Sequence, residues 1–80
     1  MVFKINKLEF YQYIINLNPS GKTNKVLFYD LINKIINDKK IKTTKSKLIE
    51  VETLLNFNMS KSSFLHDLSG KIFMKLRQSK

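Results

Sequence analysis

The chain has no cysteine, tryptophan or alanine, one proline, two glycines, and a single histidine and a single arginine among its 80 residues. Without cysteine there is no disulfide framework, no thiolate metal site and no cysteine nucleophile. One histidine, His66, excludes any metal motif built on a histidine pair, and the sequence implies no metal and no cofactor. No apolar run approaches the roughly 18 residues that a membrane span needs, so no membrane partner is expected. Acids are scarce as well: six against fifteen Lys and Arg, a net charge of +9. Those six are Glu9, Asp30, Asp38, Glu50, Glu52 and Asp67, and they are dispersed. Neither a paired-carboxylate acid–base site nor a calcium loop is present. They read as solvation and as local partners for lysine.

What remains is an apolar fraction of 42%, enough for a folded chain. At this length residues 1–80 are expected to form one small domain. Phe, Tyr, Met, Ile, Asn and Lys supply 43 of the 80 residues, whereas Gly, Ala, Arg and Pro supply four. The first group has AT-rich codons and the second GC-rich codons. That skew fits the genome of a virus, phage, mobile element or organelle. It also accounts for part of the basicity, because selection for bidentate phosphate or guanine contacts would favour Arg over Lys. Even so, +9 on so small a surface attracts polyanions. The first seven residues show neither the apolar stretch of a signal peptide nor an Arg-rich transit sequence. The expected place of action is therefore a cytoplasm, bacterial or host, without secretion.

Four apolar-periodic segments follow one another. Asn6 and Glu9 form a capping-box pair ahead of a first helix, in which Leu8, Tyr11, Ile14 and Ile15 recur at helical spacing and Phe10 and Leu17 widen the stripe. Tyr13 lies off that stripe. The helix stops at Asn18-Pro19-Ser20-Gly21. A second helix opens near Thr23 or Asn24 and places Leu27/Phe28, Leu31/Ile32 and Ile35/Ile36 on one face. It runs into Asp38–Lys47, where five lysines repel one another and only Ile41 can bury; this stretch reads as a linker or a solvated first turn. The third helix carries Leu48, Val51, Leu54 and Leu55. Lys45 and Lys47 oppose its macrodipole, and Asn58 is placed to close it in the left-handed conformation. The fourth opens at the cap Ser60 and carries Phe64, Leu65, Leu68, Ile72 and Leu76 across Gly70, which costs about 1 kcal/mol inside a helix. The rival reading ends that helix at Ser69 and makes Ile72, Met74 and Leu76 the inward positions of a short strand. The expected fold is all-α: a compact bundle or orthogonal array of about four helices. A chain this size buries only roughly 60–65% of its surface, so a homodimer covering leftover apolar area is compatible with it.

Ser20-Gly21-Lys22-Thr23 has the ending of a phosphate-binding loop, but the glycine required five residues earlier is Asn16, and a helix precedes it where a strand is needed. Ser62 and His66 share a helical face, yet Asp67 points about 100° away from His66 and cannot orient it as a base. No enzyme is expected.

Leu54-Leu55-Asn56-Phe57-Asn58-Met59-Ser60-Lys61-Ser62-Ser63-Phe64 resembles the turn and recognition-helix start of small excisionase-like and other helix-turn-helix regulators, over under a third of the chain. Leu54 stands where a small residue normally lets the two helices approach, and Asp67 where an apolar residue should pack. The resemblance implies that Lys61, Ser62, Ser63 and His66 face phosphates and base edges; the alternative is an ordinary helical corner. Lys39, Lys40, Lys42, Lys45 and Lys47 are the candidate phosphate contacts, against the reading of a solvated loop. The functional expectation is a small basic nucleic-acid-binding protein, DNA before RNA, with regulation as one role. The alternative is a helical protein–protein interaction module, such as an inhibitor, immunity or antitoxin-like protein or assembly subunit, that binds an acidic protein.

Overall fold

A computed structural model describes residues 5–78. It contains α1 (Lys7–Asn16), α2 (Asn24–Ile36), α3 (Lys45–Ile49) running directly into a 3-10 turn (Glu50–Leu54), and α4 (Lys61–Arg77). There is no strand among the described residues. The all-α expectation holds.

Each helix starts where its polar side chains can satisfy the free amides of the first turn. At α1 the Glu9 N–H donates to Asn6 Oδ1 at 2.8 Å and the Asn6 N–H to Glu9 Oε1 at 3.0 Å, the reciprocal pair read from the sequence. Thr23 Oγ1 accepts from the Val26 N–H, Thr44 Oγ1 from the Lys47 N–H, and Ser60 Oγ from the Ser63 N–H. Past α1 and its cap Leu17, Asn18 turns the chain with a φ of 55°, the left-handed region that asparagine tolerates. The Lys34 ammonium closes that end by donating to the Leu17 and Asn18 carbonyls, each at 2.9 Å. Gly21 then turns the chain with φ +158°, and a Cβ there would sit 2.9 Å from the Leu27 amide nitrogen. That turn is what the phosphate-loop-like string builds, with Thr23 committed to capping α2.

One core collects residues from every helix: Phe10 and Ile14, then Leu27, Phe28, Leu31, Ile32 and Ile35, then Leu48 and Val51, then Phe64, Leu68, Ile72, Phe73 and Leu76. Helix α2 buries the face its period announces. Helix α4 is continuous through Gly70, so the strand alternative is excluded; Ile72 and Leu76 point inward with Phe73, while Met74 is 52% exposed. Gly70 lies under α1, where a Cβ would meet the Lys7 Cε at 3.1 Å.

Three expectations need correction. Helix α1 carries two apolar stripes, and the core takes Phe10, Tyr13, Ile14 and Leu17; Leu8 and Ile15 are left 65% and 41% exposed. Tyr13 is thus half-buried against the core instead of lying off it. The third helix is short and tightens after Ile49. A 3-10 turn rises about 2.0 Å per residue against 1.5 Å in an α-helix, which carries Leu54 past the core edge to 61% exposure while Leu55 stays half-buried. Asn58 is not left-handed; its N–H donates to Asn56 Oδ1 at 3.0 Å, a local side-chain turn.

Candidate nucleic-acid interface

The lysine-rich stretch is an ordered corner. Asp38, just past the end of α2, organises it: Oδ2 accepts the Tyr13 hydroxyl of α1 at 2.6 Å and Oδ1 accepts the Lys40 N–H at 2.9 Å. The Ile41 N–H donates to the Asp38 carbonyl, and the half-buried Ile41 side chain packs on the core. Two anchors therefore hold the chain down while Lys39, Lys40 and Lys42 project into solvent. Thr44 then caps α3, which offsets the unfavourable charge of Lys45 in its first turn. Lys45 is exposed and Lys47 half-exposed. All five lysines thus sit on one connection, from the end of α2 through α3.

Four of the acids are paired with lysines outside this corner. Asp30 pairs with Lys34 at 3.3 Å, Glu52 with Lys25 at 3.7 Å, Asp67 with Lys71 at 2.7 Å, and Glu50 with Lys75. Glu9 caps α1 and Asp38 holds Tyr13. Every one of the six carboxylates has a partner within the fold. Their titration follows: the Ser20 N–H and then Lys34 lower Asp30, the Tyr13 hydroxyl and the Lys40 N–H lower Asp38, and Lys75 lowers Glu50. Lys40 and Lys47 lie close enough to contribute to the fields at Asp38 and Glu50. Among the described residues Lys39, Lys42 and Lys45 have no acid beside them.

The second group of candidates occupies the start of α4, where Lys61, Ser62, Ser63 and His66 are all exposed. Ser60 caps the helix as the resemblance implies. Asn24, at the start of α2, pins the corner by donating both amide protons, to the Phe57 carbonyl at 2.9 Å and the Met59 carbonyl at 2.7 Å. Lys61 is tied back to the Gly21 carbonyl at 3.0 Å. The two departures from the helix-turn-helix pattern are accommodated outside the core: Leu54 turns to solvent and Asp67 pairs with Lys71. The helix before the corner is only five residues long. His66 lies 5.0 Å from the Tyr11 ring, centroid to centroid.

These two groups do not converge. Lys61 is fastened to the start of α2 and Lys39–Lys42 leave from its end. Thirteen residues at 1.5 Å each put about 20 Å of helix between them. The structure also places residues together that the sequence reading missed. Two adjoining depressions flank the outer face of α4, of about 340 and 290 Å³. Val51, Leu54, Gly70 and Met74 line the larger, Leu8 and Tyr11 the smaller, and both share Lys7 and His66. The available signal was the second apolar stripe of α1, Leu8, Tyr11 and Ile15.

No helix among the described residues is long and apolar enough to cross a membrane. Comparison of the chain with protein-family models, with curated proteins and with solved structures found no match.

Proposed function

We propose that this is a small basic protein that binds nucleic acid through phosphate contacts from Lys39, Lys40, Lys42, Lys45 and Lys47. One observation supports the reading above the others: all six carboxylates are engaged inside the fold, while Lys39, Lys42 and Lys45 of this corner have none beside them among the described residues. Such a surface gains by releasing condensed counterions from a polyanion. Anchoring by Asp38 and Ile41 lowers the entropy lost when these side chains meet a backbone. The Cα atoms span 33 Å along the longest axis, close to one turn of duplex, about 34 Å. Lys61, Ser62, Ser63 and His66, at the far end of α2, act as secondary contacts to the same duplex. DNA is preferred to RNA because an exposed, capped helix start suits a wide major groove. Acting on nucleic acid, the protein works in a cytoplasm, bacterial or host, as a factor of a virus or mobile element.

The test is a mobility shift with duplex DNA, single-stranded DNA and structured RNA at about 50 and 200 mM salt. Binding to duplex at the lower salt that weakens steeply at the higher is expected. Failure to bind any of the three at the lower salt would remove the proposal.

A further inference from the structure

We infer that the outer face of α4 is a docking groove for an acidic amphipathic helix of a protein partner. It is independent of the lysine corner and goes beyond the nucleic-acid reading. Five large apolar side chains are exposed in the described residues, and three of them, Leu8, Leu54 and Met74, line the two adjoining depressions. Leu8 and Leu54 come from different elements, α1 and the 3-10 turn, and flank the α4 face from opposite sides. An apolar strip gathered in this way is the usual mark of an interaction surface. Apolar side chains on both sides of α4 can receive a partner helix laid along it, with anchors at i, i+3 or i+4, and i+7.

Charge decides the occupant. The lining of the larger depression includes Lys7, Lys71 and Lys75 and one acid, Asp67. Asp67 is held by Lys71, and Lys75 reaches Glu50. Lys7 crosses Gly70 between the two depressions and has no acid partner among the described residues. Glutamates flanking the partner's apolar stripe would meet Lys7 directly and Lys71 by sharing. A second copy of this chain fits worse, because each copy brings a charge of +9.

The probe is a fluorescently labelled peptide of about 18 residues, with leucines at i, i+3, i+4 and i+7 and glutamates on the flanking positions. Its control is a scrambled peptide of the same composition. Binding is read by anisotropy and mapped by amide chemical-shift changes. The expected result is binding of the patterned peptide, with shifts at Leu8, Tyr11, Leu54, His66 and Met74. Met74→Glu and Leu8→Glu, both at exposed positions, should each weaken it about tenfold or more while leaving the duplex mobility shift unchanged. Equal binding of the scrambled peptide, or shifts confined to Lys39–Lys47, would overturn the inference by making the peptide a mere polyanion. So would concentration-dependent dimerisation that Met74→Glu abolishes, or shifts at Leu8, Leu54 and Met74 produced by an oligonucleotide. Loss of duplex binding with the groove intact would sink only the nucleic-acid reading.

Discussion

At the scale of single residues, the decisive contact is the one between Tyr13 and Asp38. It joins α1 to the turn that presents the lysines, across 25 positions of sequence. Burial, and then the acceptor Asp38, hold the Tyr13 hydroxyl well above its ordinary value, while the same bond lowers Asp38. The linkage has a definite sign. A phenol raised on folding contributes stability below about pH 10 that is lost at higher pH, and a carboxylate lowered on folding contributes stability above about pH 4 that is lost in acid. Tyr13→Phe should cost about 1.5–3 kcal/mol, the usual net worth of a hydrogen bond to a charged group. Faster amide exchange at Lys40 and Ile41 should accompany it, with the exchange of α4 unchanged. Unaltered exchange in the loop would show that Asp38 organises the turn unaided. None of this was legible in the sequence, because Tyr13 reads as off-stripe when α1 is assigned the Leu8 face. Two stripes with similar apolar content compete on that helix, and only the shape of α4 selects Phe10 and Ile14.

Among the elements, the starts of helices were the most legible features. Asn6 with Glu9, Thr23 and Ser60 act within three residues of their own position, so local chemistry suffices to place them. The ends of elements depend on what lies across the core. The third segment was expected to be one helix to Leu55 and instead tightens at Glu50, and nothing in its own period marks that change. The corner that follows is held by Asn24 from a different helix. Asn24→Ala leaves the Phe57 and Met59 carbonyls without their donor and should cost about 2 kcal/mol, read from the urea midpoint. Asn24→Asp should cost more, since a carboxylate faces two carbonyls and cannot donate. If both substitutions leave the midpoint unmoved, the corner is held by Phe57 packing on Phe28 and Phe64 alone. Of the candidate contacts, the sequence placed the lysines of the α2–α3 connection on one exposed segment correctly. It could not show that Lys61 and its neighbours sit at the opposite end of α2.

For the whole molecule, the balance of charge governs both stability and binding. Exposed ion pairs contribute little individually, but here they engage four of the six acids, and Glu9 and Asp38 are held by hydrogen bonds. Asp30, Asp38 and Glu50 are all lowered from ordinary values of 3.8, 3.8 and 4.5. Stability should therefore be flat from about pH 7 to 5 and fall below about pH 4, as these groups are protonated and an already basic chain becomes more so. Thermal midpoints across that range check it; a midpoint unchanged at pH 3 would mean that the pairs carry no weight.

The same balance makes the salt dependence of duplex binding the most direct test of the account. The slope of log K against log salt should be close to −0.9 for each phosphate neutralised, so the triple variant Lys39→Gln, Lys42→Gln, Lys45→Gln should have a slope shallower by about 2.7 than the wild type. A variant that binds with an undiminished slope would contradict the account, since the phosphates would then be met by some other face of the protein.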